Sequence, residues 1–151
     1  DPPRRRRLKP VAGVLRSKAV NSLLSLTPET TVLEAVMLMA EKGIGALVVL
    51  EGEKMVGIIS ERDYVRRVAL FERSAFGTTV GEIMTADVVT VSPKDGTQHC
   101  MQLMTNKRLR HLPVVEDGEL LGLLSIGDLV KDVIQDQESL IKHLEGYIRG
   151  E

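Results

Sequence analysis

The chain repeats itself. Shifted by 65 residues, positions 28–68 align with positions 93–133 without a gap, and about a dozen of roughly forty aligned pairs are identical. The identical pairs include Pro28/Pro93, Met39/Met104, Lys42/Lys107, Leu47/Leu112, Gly57/Gly122, Ser60/Ser125 and Asp63/Asp128. A period this long in only two copies does not suit a solenoid, which stacks more and shorter units. It suggests two pseudo-symmetric halves.

Each half reads alike. A short extended stretch (residues 24–26 and 88–91) runs into Thr-Pro or Ser-Pro. An amphipathic helix is predicted next, from Val32, Val36 and Met39 in one copy and Met101 and Met104 in the other, with Thr30 or Thr31 as the cap of the first. Then come the apolar runs ALVVL (46–50) and HLPVV (111–115), short and continuous enough to be strands buried on both faces. Glycine and acidic residues at 51–54 and 116–119 suit hairpin turns into a second strand. A closing helix follows, so the expected order is β-α-β-β-α, twice. Pro113 has no N–H to donate, which places it near a strand start or a sheet edge.

The second strand passes into the closing helix through the same skeleton in both copies, GIISERD (57–63) and GLLSIGD (122–128). Ser-x-x-Asp at a helix start matches a reciprocal cap, in which serine accepts from the third amide and the acid reaches back to the cap amide. The same groups suit a ligand. A carboxylate can accept both hydrogen bonds of a ribose diol, and a hydroxyl with helix N-terminal amides suits phosphate. A cap alone requires no glycine three residues earlier and no partner across a cleft, which favours a binding use. The two roles are compatible, since capping holds the carboxylate in place.

Several chemistries find little support. The chain has 43% apolar and 27% charged residues, the composition of an ordinary globular protein, and a net charge of −1 gives no electrostatic case for nucleic acid or an anionic membrane. No apolar run reaches the roughly 20 residues of a membrane helix, so a soluble protein is expected. One cysteine excludes an intrachain disulfide, and the three histidines lack metal-ligand spacing. Ser60 and Ser125 have no evident histidine–acid relay, so no enzyme is expected. Met37, Met39, Met101 and Met104 read as core or dimer packing, and Cys100 as a buried structural thiol. The basic start, DPPRRRRLKP, reads as a disordered tail over residues 1–11, or as the remnant of a transit peptide.

The doubled unit, the Thr-Pro helix entry, GALVV (45–49), RHLPVV (110–115) and the closing G-h-h-S-x-x-D resemble a tandem pair of cystathionine-β-synthase (CBS) domains. TVGEIMT (79–85) resembles the usual lead-in to the second domain, and AGVLRSK (12–18) is a weaker lead-in to the first. The resemblance implies an α/β fold in which two β-α-β-β-α repeats (12–70 and 79–135) form a Bateman module, followed by a C-terminal helical extension over 136–151. It is closest in type to stand-alone CBS-pair proteins of bacteria and plant organelles. The bacterial cytoplasm is then the simpler compartment, with an organelle as the alternative if the N-terminus is a transit remnant.

What the resemblance implies for function is a non-catalytic regulator that binds an adenosine-containing ligand between its repeats. AMP is the first choice, with ADP, ATP, NAD(H) or S-adenosylmethionine as alternatives, and energy or redox state is relayed to a partner protein. Asp63 and Asp128 would hold ribose, with Ser60 and Ser125 near ribose or phosphate. Gly45 and Ala46 would leave room for adenine, whereas Arg110 offers a fork of donors for phosphate. His111 reads either as a further donor or as a surface histidine. Gly127 would let a ligand approach the Asp128 cleft. Glu61 would repel phosphate from the Asp63 cleft, partly offset by Arg62, so the Asp128 cleft is expected to be the tighter. Lys18, and more loosely Asn21 and Ala86, are candidate lining residues. Val130, Val133, Ile134, Leu140, Ile141, Leu144 and Ile148 form a helical stripe suited to packing on the module itself or to a homodimer contact. The competing reading is a constitutive protein-interaction scaffold with vestigial nucleotide sites.

Overall fold

The computed structural model describes residues 10–16 and 24–148. A short helix α1 (Val11–Arg16) comes first. The first repeat follows as β1 (Ser25–Leu26), α2 (Val32–Lys42), β2 (Ala46–Glu51), β3 (Lys54–Ser60) and α3 (Glu61–Tyr64), which continues as a π-helical turn over Val65–Ala69. A second lead-in helix α4 (Val80–Ile83) precedes α5 (Thr97–Lys107), β4 (His111–Glu116), β5 (Glu119–Ser125) and α6 (Ile126–Ile148).

Local chemistry accounts for most boundaries. Thr31 caps α2, its Oγ1 accepting from the Glu34 amide at 3.2 Å. The Thr30 hydroxyl is engaged with Thr27 instead. The helices α2 and α5 end at equivalent positions, Gly43 and Arg108, both left-handed at φ 64° and φ 56°. In the first hairpin only Gly52 of the two central residues has positive φ, as a II′ turn requires. In the second, Asp117 and Gly118 both do, as in type I′.

The two sheets differ at one edge. In the first, β1 runs parallel to β2 (Ser25 beside Val48, Leu26 beside Val49), and β2 pairs antiparallel with β3. In the second, β4 and β5 pair antiparallel, but the expected strand at 88–91 reduces to a single parallel bridge between Val91 and Val114. The cause is Pro113, which stands where Val48 extends the first ladder. Its carbonyl accepts from the Val91 amide at 3.0 Å, but it has no N–H with which to continue the pairing upstream. Pro113 is therefore not at a strand start. It is the third residue of β4, buried, with its donor-free side toward the weakly paired edge.

Each repeat has its own core, and each core is completed by the lead-in of the other. Val80 and Ile83 of α4 are buried with Val32, Ala35, Leu47 and Ile59 of the first repeat. Val11 and Val14 of α1 are buried with Cys100, Met104, Leu112 and Leu124 of the second. The backbone repeats the exchange. The Val80 and Gly81 amides donate to the carbonyls of Thr30 and Pro28, and the Val11 and Ala12 amides donate to those of Asp95 and Pro93. The sequence places each lead-in before its own repeat, whereas the structure packs it into the neighbouring one.

The helix opened by Ser125 runs unbroken to Ile148, and so carries the expected C-terminal extension as one element with the end of the second repeat. Of the methionines, Met39 and Met104 are buried and Met101 half-buried, but Met37 faces outward.

Candidate ligand site between the repeats

The hairpins assemble the candidate residues. Antiparallel register sets Ala46 opposite Ser60, and His111 opposite Ser125. The first amide of each closing helix, on Glu61 or Ile126, donates to the carbonyl of Gly45 or Arg110 at 3.0 and 2.9 Å. Each repeat thus collects one set: Gly45, Ala46, Ser60, Arg62 and Asp63, or Arg110, His111, Ser125, Gly127 and Asp128.

Both Ser-x-x-Asp segments form the reciprocal cap. The Ser60 amide donates to Asp63 Oδ2 at 2.9 Å, and the Asp63 amide donates to Ser60 Oγ at 3.2 Å. The Ser125 amide donates to Asp128 Oδ2 at 2.8 Å, and the Asp128 amide donates to Ser125 Oγ at 3.1 Å. Asp63 has further partners, since Oδ2 also accepts from the Ser60 hydroxyl at 3.1 Å and Oδ1 from the Thr85 hydroxyl at 3.3 Å. A carboxylate has about four lone-pair positions, so Asp63 keeps little capacity for a diol.

The two sets meet at a seam. A β-carbon on Gly45 would lie 3.2 Å from His111 Cε1 and 3.6 Å from a carboxylate oxygen of Glu61. The absence of a side chain at residue 45 thus lets the two repeats approach, and His111 is half-buried there. Arg62 crosses the same seam, its Nη1 donating to the Arg108 carbonyl at 2.8 Å. That bond fixes Arg62 as a bridge between repeats, a use beyond offsetting Glu61. Arg110 is exposed. Gly127 sits in ordinary contact range of Ser125 Oγ, where a β-carbon would be 3.6 Å away, and so is not required by packing. Ala86 is exposed, and Lys18 and Asn21 lie outside the described residues.

One argument for ligand use fails. The glycine of each skeleton faces a lead-in segment. A β-carbon on Gly57 would lie 2.5 Å from Met84 Sδ and 3.0 Å from the Thr85 carbonyl oxygen, and one on Gly122 would lie 3.0 Å from Leu15 Cδ2. These glycines make room for the exchanged lead-ins, so their presence says nothing of a ligand. Sequence reasoning also missed Thr85, Met84, Leu15 and the Arg108 carbonyl. The available signal was the near-match of VAGV (11–14) to VGEI (80–83), which are 69 residues apart, out of step with the 65-residue repeat.

The arrangement defines a class, a two-repeat α/β module whose helix-capping carboxylates flank an inter-repeat seam. Among the described residues, no three His, Cys, Asp or Glu are grouped to hold a metal, and no helix is long and apolar enough to cross a membrane. The chain belongs to the CBS-domain family, whose domain model matches residues 13–70 and 80–134. CBS-pair proteins are regulatory modules, generally non-catalytic, and typically bind adenosine ligands. The chain is 40% identical over 148 residues to the mitochondrial CBS domain-containing protein CBSX3 of Arabidopsis thaliana, covering 93% of this chain and 72% of that one. It superposes on a CBS-domain protein from Burkholderia ambifaria MC40-6 with a TM-score of 0.82 and 52% identity, over 85% of this chain and 96% of the other. It is also 38% identical over 111 residues to an inosine-5′-monophosphate dehydrogenase of Korarchaeum cryptofilum, covering 73% of this chain but 22% of that enzyme.

Proposed function

We propose that this chain is a non-catalytic regulator that binds an adenosine-containing ligand at the seam between its repeats, AMP first, with ADP, ATP or NAD(H) as alternatives. The supporting observation is the convergence of both residue sets at Gly45 and His111. Asp128 is the preferred ribose anchor, because Gly127 beside it leaves a ligand room for close approach and Arg110 lies in the same repeat. Of the first-turn amides, those of Ile126 and Asp128 are taken by Arg110 and Ser125, which leaves that of Gly127 for a phosphate oxygen. Arg110, exposed beside it in the same repeat, supplies the cationic fork, and His111 a further donor. A ligand spanning the seam alters the repeat–repeat angle by no more than its differential affinity for the two arrangements. A partner protein reads that change. The module works as a homodimer, in the bacterial cytoplasm or, by analogy with the Arabidopsis relative, in an organelle.

A constitutive scaffold is the second reading. It is favoured by the complete explanation of Ser-x-x-Asp as a cap and of Gly57 and Gly122 as packing glycines. Thermal melting with AMP, ADP, ATP, NAD, NADH and S-adenosylmethionine separates the two. A ligand at 100 times its dissociation constant adds about 2.7 kcal/mol, a rise of roughly 5–10 °C for a chain of this length. The expected result is a rise with one adenosine ligand that is absent in Asp128→Ala, each protein measured against its own ligand-free melt. No rise at millimolar ligand supports the scaffold.

A further inference from the structure

The face of α2 turned away from the core borders a groove of about 700 Å³ on the first repeat. Glu34, Met37, Leu38 and Glu41 line one side at steps of three and four residues, the spacing of a single helical face. Leu26 of β1 and Leu50 near the end of β2 contribute the other side. Val32, Ala35 and Met39, on the opposite face of the helix, are buried in the core, whereas Met37 is 62% exposed. Neither Gly45 nor His111 is among the residues that line the groove, so it is separate from the seam.

The charge around the groove is one-sided. Besides Glu34 and Glu41, Glu29 precedes the Thr30 that lines it, and Glu51 and Glu53 flank Gly52 at its hairpin end. All five glutamates are exposed, and none makes an ion pair among the described residues. Lys42 and Lys54 are the cations next to them in the chain. The second repeat serves as an internal control. At the positions of Glu34, Met37 and Glu41, α5 carries His99, Gln102 and Asn106, and Lys94 stands at that of Glu29. The equivalent helix forms with those residues, so the fold does not require an acidic, methionine-bearing face. An unbranched methionine suits an adaptable contact, and exposed apolar surface rimmed by polar groups marks an interaction site.

We infer that this groove docks an extended basic segment of a partner protein. Two cationic side chains of that segment pair with Glu34 and Glu41, and an apolar side chain between them packs among Met37, Leu38 and the leucines opposite. The spacing fits. From Glu34 to Glu41 the helix rises about 10 Å. In a polyproline-II-type segment, residues three apart share a face and lie about 9 Å apart. The pattern recognised is therefore two basic residues three positions apart, with an apolar residue between them. Complementary charge of this kind speeds association and excludes acidic competitors. The inference goes beyond the nucleotide reading and does not depend on it.

Peptide titration tests the docking directly. The full chain, isotope-labelled, is titrated with the end-blocked hexapeptide GRLARG while its amide resonances are followed. The expected result is saturable shifts at residues 25–30, 34–41 and 50–53, with α5 unmoved and binding weakened by salt. The peptide GELAEG should shift nothing, and GRGGRG, which lacks the apolar residue, should bind more weakly. Glu34→Gln/Glu41→Gln, which changes only exposed side chains, should keep its melt and lose about fivefold in affinity for GRLARG. No shift at millimolar GRLARG, shifts of equal size along α5, or undiminished binding to the double variant would each overturn the inference. Movement of the same resonances on deleting residues 1–9, or on diluting the free protein, would also overturn it. The groove would then be held by the chain's own arginine-rich start or by a second copy. Melting with AMP is a separate readout, so failure of the docking is distinguishable from failure of the nucleotide reading.

Discussion

Met84 occupies the volume that any side chain at residue 57 would need: its Sδ lies 2.5 Å from the position of a β-carbon on Gly57. Leu15 stands in the same relation to Gly122, at 3.0 Å. The glycine that opens each Ser-x-x-Asp skeleton is thus the contact at which one repeat receives the lead-in of the other. The two contacts differ in severity. At Gly57 the Thr85 backbone oxygen is also 3.0 Å away, whereas the atoms nearest a β-carbon on Gly122 all belong to the Leu15 side chain, which can turn aside.

Gly57→Ala is expected to cost about 1–3 kcal/mol through overpacking, and Gly122→Ala less. Thermal or urea melting of the two variants checks the order. Met84→Ala in the Gly57→Ala background should recover part of the loss, a coupling that a double-mutant cycle measures.

Exchange of the lead-ins predicts damage at a distance. Val11 precedes the first repeat but is buried in the core of the second. Val11→Ala is expected to cost about 1–3 kcal/mol. Its amide-exchange signature should be faster exchange in α5, β4 and β5, with β2 and β3 little changed. The reverse pattern would contradict the packing.

Arg108 is the left-handed C-cap of α5, at the position where the first repeat has Gly43. A left-handed conformation costs a non-glycine residue about 1–2 kcal/mol, so Arg108→Gly is expected to stabilise the protein by about 1 kcal/mol. The Arg62 bond is kept, because its acceptor is the residue 108 backbone carbonyl. Gly43→Ala should lower stability by a similar amount.

Burial, followed by the charge of Asp95, pushes the Cys100 thiol up to about 11. The native protein should therefore react with a disulfide reagent far more slowly at pH 8.5 than the urea-unfolded chain. Because the folded state holds the proton more tightly, this group's contribution to stability is intact below pH 9 and is lost as pH rises through about 11. Rapid native-state modification at pH 8.5 would show Cys100 to be accessible.

The capping segments were legible because each is complete within four residues. Thr31 with Glu34, Ser60 with Asp63 and Ser125 with Asp128 need nothing distant. The candidate site was legible residue set by residue set, since hairpin register alone brings Ala46 to Ser60 and His111 to Ser125. How the sets meet was not legible. The Gly45–His111 approach, the Arg62 bridge to Arg108 and the Thr85 hydroxyl on Asp63 join residues 66, 46 and 22 positions apart. No local pattern encodes such pairings.

By itself the sequence determined the repeat, the hairpin strands, the longer helices, the turns and the caps, all of which follow from interactions within a few residues or within one hairpin. Only the tertiary structure decided which core each lead-in fills, why residues 57 and 122 are glycine, and that both phenylalanines, Phe71 and Phe76, stand outside the core. The physical reason lies in the repeat. Two similar apolar cores offer a short apolar helix nearly the same burial, and burial is not directional. The choice between them therefore falls to packing across the assembled molecule.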